Sequence, residues 1–196
     1  MKIINVMIAG IGGQGLVMTT ELICQAAFLE GYDIKSNDVI GLAQRGGRVW
    51  GSVRIGEKIH SPNTPHGEGD LLIGVEPMEA LRWRNILKSE AKVILNRHQV
   101  YPTNVQQEKD PYPEKEIQQL LEDFDSLELD ARVEARKCGN EKAANTLMLG
   151  CASHFLPVSE ENWMKAIRSV YPEKVQEANE KAWHIGRDLA AEVEFR

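Results

Sequence analysis

The chain has 196 residues, only three cysteines and a formal net charge of −6 at neutral pH. That acidic balance argues against a nucleic-acid footprint, and no apolar run reaches membrane-spanning length. The core begins almost at the first residue with no leader ahead of it, which gives the expectation of a cytoplasmic protein. The length suits one domain, so residues 1–196 are expected to form a single unit with helices from about 140 packed on it.

Ile3, Ile4, Val6, Met7 and Ile8 form a nearly continuous apolar run, the pattern of a strand covered on both faces. Gly10, Gly12 and Gly15 then fit G-x-G-x-x-G, and residues 16–29 carry apolar side chains at helical spacing. Glycines there permit a tight turn and close backbone approach, and the helix start offers free N–H groups to a phosphate. A tight turn without a ligand is the other reading. Gly13 and Gln14 depart from the ordinary dinucleotide version, adding a bare backbone position and a bidentate amide at the turn tip. Asp33 and Asp38 lie near the place where a ribose-binding acid is required, but residues 33–37 are short and polar for a second strand.

Gln44, Arg45, Gly46, Gly47 and Arg48 follow, two bare glycines beside two arginines and a glutamine. Such a loop can present N–H groups and guanidinium forks to an anion, or be a hairpin turn with solvated arginines. Val49, Gly51, Val53 and Ile55 alternate with Trp50, Ser52 and Arg54, which predicts a strand. Gly56-Glu57 reads as a turn and Lys58-Ile59-His60 as its antiparallel return strand. Trp50 falls on the polar side and needs a cover or a partner.

Residues 61–69 read as a loop and 70–75 as another buried strand. Glu76-Pro77 opens a helix whose apolar stripe is Met78, Leu81, Ile86 and Leu87. Residues 91–96 are the next strand, with Asn96 polar at its end, where binding loops of parallel sheets begin. A polar excursion over 104–113 precedes a helix at 114–123, a short strand at 127–129 and a helix at 130–138. Asn140 can cap a helix running to Phe155, and two amphipathic helices at 159–170 and 172–195 complete a mostly helical last third.

Cys24, Cys138 and Cys151 are far apart, and Cys24 and Cys151 sit in apolar helical patterns as core thiols. No C-x-x-C and no paired histidines occur, so any electron carrier must sit on another chain.

Taken together and in order, the turn from Gly10 to Gly15, the Gln44-Arg45-Gly46-Gly47 loop, the stretch 70–82 and the Gly139-to-Gly150 segment with Asn145 resemble the gamma-type subunit of 2-oxoacid:ferredoxin oxidoreductases. The indolepyruvate-type small subunit is the nearest in pattern. The likeness covers nearly the whole chain. One departure is Arg48, where such proteins often carry serine, which adds a charge beside the loop.

The resemblance implies an α/β, Rossmann-like, mostly parallel sheet with an antiparallel hairpin and a helical C-terminal third. It implies an accessory subunit in the oxidative decarboxylation of a 2-oxoacid, indolepyruvate or another aryl pyruvate, to an acyl-coenzyme A. Thiamine diphosphate and iron–sulfur clusters are then expected on a larger partner subunit, with ferredoxin reached through the complex. The chain itself has neither a G-D-G thiamine motif nor cluster cysteines, and it should be inactive alone. Coenzyme A is the co-substrate, and Gly10, Gly12, Gly13, Gln14, Gly15, Gln44, Arg45, Gly46, Gly47 and Asn145 are the candidate binding residues. No residue is assigned to catalysis and none to a metal. In isolation a homodimer through the surface near Trp50 and Trp83 is expected. A stand-alone NAD-dependent dehydrogenase and a non-catalytic scaffold subunit are the rival readings.

Overall fold

The structure, a computed structural model, describes residues 2–40, 47–107, 109–193 and 195. Six strands form one sheet in the order β2-β3-β1-β4-β5-β6. They are β1 (Ile4–Ile11), β2 (Asp33–Ile40), β3 (Arg48–Gly56), β4 (Gly69–Gly74), β5 (Leu87–Asn96) and β6 (Asp125–Leu129). The block β1-β4-β5-β6 is parallel, and β3 alone runs against its neighbours β1 and β2. The helices are α1 (Leu16–Leu29), α2 (Pro77–Leu81), α3 (Thr103–Gln106), α4 (Glu114–Asp123), α5 (Ala131–Arg136), α6 (Ala144–Ala152), α7 (Glu160–Val170) and α8 (Glu173–Ala191).

Alternate residues of each central strand feed two apolar layers, as the pleat requires. Val6, Ile8, Leu71, Ile73 and Ile94 face the larger layer, closed by α1, α5, α6, α7 and α8. Met7, Ala9, Leu72, Val93 and Leu95 face a smaller one with Ala80 of α2 and Ile117 and Leu120 of α4. Trp50 lies over this second layer against Trp83, ring centroids 4.4 Å apart, so the polar-side tryptophan finds an intramolecular cover while staying half-buried. Cys151 is buried, and burial pushes its thiol up to about 12; the half-buried Cys24 thiol is raised mainly by the same cause.

The antiparallel hairpin is present, but its second arm differs from the one read at residues 58–60. The partner of β3 is β2, paired from Asp33↔Gly56 to Ile40↔Val49. After Gly56 the chain leaves the sheet because the Asp33 carboxylate accepts the Ile59 N–H at 2.7 Å and the Ile59 side chain is buried. The α2 helix is also shorter than its apolar stripe suggested. Ile86 lies in a single 3-10 turn and Leu87 already opens β5. The placement of β3 between β1 and β2 separates the two strands that a dinucleotide fold sets side by side. The two acids that an NAD site would recruit are also engaged, Asp33 by Ile59 and Asp38 by the Thr20 hydroxyl at 2.8 Å.

The α7 helix is capped from outside its own sequence. The Glu30 carboxylate accepts the Ser159 N–H at 2.7 Å, the Ser159 hydroxyl at 2.7 Å and the Asn162 amide at 2.9 Å. The Ser159 amide bond, followed by the Asn162 and Ser159 side chains, holds the Glu30 carboxyl below the usual carboxylate range. A depressed folded-state value stabilises the fold above the usual range and loses that contribution as pH falls through it. Glu30→Gln should therefore melt below wild type at neutral pH, with the gap closing on acidification. Thermal melts of both proteins between neutral and acidic pH check this, and a gap independent of pH would contradict it.

Candidate functional site

The glycine turn leaves the carboxyl end of β1 and enters α1. Gly13 (φ 96) and Gly15 (φ 79) occupy the left-handed region, which an L side chain enters at a cost of roughly 1–2 kcal/mol. Gly15 is the N-cap residue of α1 and brings no side-chain cap. A Cβ on Gly10 would sit 2.7 Å from Gln14 Oε1 and 3.2 Å from Val75, so this glycine makes room for the turn itself. Gln14 folds back, its Oε1 accepting the Ile11 N–H at 2.8 Å. Its backbone N–H goes to the Ile11 carbonyl at 3.1 Å, and the Gly12 N–H goes to the Gly47 carbonyl at 2.7 Å.

The turn thus meets Gly47, through a backbone hydrogen bond that takes a donor away from any ligand. Of the N–H groups from Gly12 to Gly15, those of Gly12 and Gln14 have partners within the chain, and the Gln14 side chain tightens the turn rather than standing at its tip. Gln44, Arg45 and Gly46 lie outside the described residues. The extra charge at Arg48 is exposed, in register with Ile11 beside the turn.

Asn145, early in α6, ties the C-terminal helices to the turn. Its amide nitrogen donates to the Gln14 carbonyl at 2.7 Å and lies 3.0 Å from the Thr19 hydroxyl. Behind it, the Thr146 hydroxyl donates to Asn179 Oδ1 at 2.7 Å and is 2.9 Å from the Tyr171 hydroxyl, which joins α6 to α8 and to the end of α7.

Between these elements lies a cavity of about 570 Å³ at the carboxyl edge of the parallel strands, where open α/β sheets bind ligands. Gly13, Gln14, Gly15 and Asn145 line it, as do Asn96, His98, Arg132 and Lys142. Sequence reasoning flagged Asn96 only as polar at a strand end, and placed Lys142 only within a matching segment. His98 counted only among histidines that do not pair, and Arg132 went unnoticed, since lone basic residues just past a strand carry no pattern of their own.

Asn96 is buried and staples this edge together. Its amide nitrogen donates to the Val75 carbonyl at 3.1 Å and its oxygen accepts the Ala131 N–H at 3.1 Å. Asn96→Ala would leave two buried backbone groups short of a partner, at about 1–3 kcal/mol each. A loss near the lower end for both, about 2 kcal/mol, corresponds to a melting temperature roughly 4–8 °C lower for a chain of this size. Thermal denaturation checks it, and an unchanged melting point would show that water replaces both contacts.

One wall, residues 96–101, is held by a buried carboxylate. Glu76 is fully buried; it accepts the Glu79 N–H at 2.8 Å, the Tyr112 hydroxyl at 2.7 Å and, more loosely, the Val100 N–H at 3.4 Å. Burial, reinforced by the Glu76 charge, keeps the Tyr112 phenol protonated far above its ordinary range. Burial also raises the Glu79 carboxyl, against the opposing Arg82 guanidinium. Among the described residues no three His, Cys, Asp or Glu side chains gather as a metal-binding group. Nor is any helix among them long and apolar enough to cross a membrane.

A family profile described as pyruvate ferredoxin/flavodoxin oxidoreductase matches residues 5–189. The chain belongs to this family. Its small-subunit character follows from full-length relatives. The indolepyruvate oxidoreductase subunit IorB of Thermococcus kodakarensis is 34% identical, with 98% of each chain covered. Among solved structures, the gamma subunit of a keto/oxoacid ferredoxin oxidoreductase from Geobacter sulfurreducens superposes with a TM-score of 0.72 at 23% identity, covering 97% of this chain and 99% of that one. A 2-oxoglutarate:ferredoxin oxidoreductase from Magnetococcus marinus, solved with 2-oxoglutarate, coenzyme A and succinyl-CoA bound, gives 0.77 at 16% identity. All of this chain but only 32% of that one is covered, so the same fold also occurs as part of a longer chain. The family role of such a chain is an accessory subunit of an oxidoreductase complex.

Proposed function

We propose that this chain is the accessory subunit of a 2-oxoacid:ferredoxin oxidoreductase acting on indolepyruvate or a related aryl pyruvate, and that its carboxyl-edge cavity helps hold coenzyme A or the oxoacid. The observation that carries the reading is 34% identity to an indolepyruvate oxidoreductase subunit over 98% of both chains. The cavity supports it physically, because bare backbone at Gly13 and Gly15 lines a concave space at the expected edge of the sheet. On this reading Gly13, Gly15 and Asn145 face the ligand, while Gly10, Gly12, Gln14 and Gly47 fix the turn. Gln44, Arg45 and Gly46 remain candidates on the sequence alone.

The larger subunit would carry thiamine diphosphate, which supplies carbanion chemistry, and the iron–sulfur clusters that pass electrons to ferredoxin. This chain would contribute orientation and binding energy. Purified alone, it should reduce no dye with indolepyruvate and coenzyme A. Co-expressed with the thiamine-binding subunit, it should restore coenzyme-A-dependent reduction of ferredoxin. If the larger subunit alone turns over indolepyruvate with the same Michaelis constants, the accessory role is wrong.

A further inference from the structure

We propose that the Tyr171 hydroxyl, held as a pure hydrogen-bond acceptor on the cavity wall, receives the ring N–H of an aryl 2-oxoacid and distinguishes an indole side chain from a ring without that donor. The proposal rests on the reading that the cavity takes part in holding the oxoacid, and it names the residue that reads the ring.

Counting protons fixes which way the Tyr171 hydrogen lies. A backbone carbonyl can only accept, so the 2.8 Å contact from Asn179 to the Val175 carbonyl puts the Asn179 amide nitrogen on that side and its oxygen on the other. That oxygen accepts the single proton of the Thr146 hydroxyl at 2.7 Å. Thr146 Oγ1 then has only lone pairs left for Tyr171, 2.9 Å away, so the Tyr171 hydroxyl donates to it. Thr146 and Asn179 are both buried, which shields this chain of bonds from solvent. Burial also raises the Tyr171 phenol, so its proton stays in place at neutral pH.

What remains on Tyr171 is an oxygen with lone pairs and no hydrogen to give. Tyr171, Val175 and Asn179 all line the cavity. Asn145, on the neighbouring helix, follows the same logic. Its amide nitrogen gives its hydrogens to the Gln14 carbonyl and to Thr19 Oγ1, and its oxygen takes no donor among the described residues. The walls built from α6, the end of α7 and α8 therefore offer acceptors beside the Val175 methyl groups.

That polarity selects the ligand group. A carboxylate is itself acceptor-only and finds no hydrogen from Tyr171, whereas a ring N–H finds a lone pair. An adenine edge sets its amino donor beside a ring-nitrogen acceptor, which would need a donor that Thr146, Asn179 and Asn145 have already committed. An indole carries one donor on an otherwise apolar ring, which matches one acceptor set beside a valine.

The test uses the assembled complex, with indolepyruvate, its benzothiophene isostere (sulfur in place of the ring N–H) and coenzyme A as probes. Wild type should favour indolepyruvate in kcat/KM by roughly ten-fold, because the isostere leaves a half-buried acceptor unmatched. Tyr171→Phe should erase that preference by losing activity on indolepyruvate alone, with the Michaelis constant for coenzyme A unmoved. Thr146→Val keeps the phenol but frees its proton, so it should also blunt the preference; a role in packing alone would move both oxoacids together. Thermal melts confirm that each variant is folded. Wild type that treats the two oxoacids alike, or Tyr171→Phe that keeps their ratio, overturns the proposal. A change confined to coenzyme A also overturns it and assigns the acceptors to the carrier. A complex inactive on every aryl pyruvate overturns the underlying reading and the proposal with it.

Discussion

Replacing either Gly150 or Gly186 by alanine should lower the melting temperature by roughly 6–12 °C. The two glycines face each other where α6 crosses α8. A Cβ on Gly150 would lie 2.0 Å from the Trp183 carbonyl oxygen, and one on Gly186 would lie 1.9 Å from the Leu147 carbonyl oxygen. Both obstacles are backbone, so no rotamer change relieves them and the helices must move apart. Overpacking in a dense core costs about 1–3 kcal/mol, and a rigid backbone obstacle belongs at the top of that range. In a chain of this length each kcal/mol moves the melting point by roughly 2–4 °C. The double substitution should cost less than the sum, because the first separation of the helices makes room for the second methyl group. Differential scanning calorimetry of the three variants decides it. Melting within a degree of wild type would mean that the crossing is looser than the packing implies.

The same crossing matters for the site. Asn145 and Thr146 stand at the start of α6, and Asn179 and Trp183 lie on α8, so a shift of one helix against the other pulls on the Asn145 contact with Gln14. None of this close approach was legible in the sequence. Gly150 and Gly186 read as ordinary glycines inside helical patterns, and a helix–helix contact at backbone distance leaves no periodic trace. The buried strands were legible because β1, β4 and the end of β5 are covered on both faces and read as unbroken apolar runs. The edge strand β2 was not: Lys35, Asn37 and Asp38 mix polar side chains with Ile34 and Val39, and the pairing was transferred to the nearest downstream turn. The glycine turn was placed correctly, but the fate of its donors depended on Gly47, a residue thirty-five positions away whose carbonyl takes the Gly12 N–H. Likewise, His98, Arg132 and Lys142 line one cavity because the strand order β4-β5-β6 brings their segments together.

Gly13→Asn should leave the melting temperature within about 2 °C of wild type and weaken the complex's affinity for coenzyme A or the oxoacid by roughly ten- to a hundred-fold. Two properties of the position separate stability from binding. Its φ of 96 strains most L residues, but asparagine tolerates the left-handed region, so the backbone cost is small. A Cβ there meets nothing within 4 Å, so the protein itself does not resist the side chain. The new atoms must then project into space that belongs to the cavity, which Gly13 lines. Gly13→Val should bind as poorly and also lose stability, since a β-branched residue cannot relax in that conformation. Gly31→Asn is the matched control: φ is 93, nothing lies within 4 Å of its Cβ, and the position is at the far end of α1, away from the cavity. It should change neither melting nor binding. Equilibrium titration of the three assembled variants with coenzyme A and with indolepyruvate measures the effect. If Gly13→Asn binds both ligands as wild type does, the bare backbone at the turn serves folding alone.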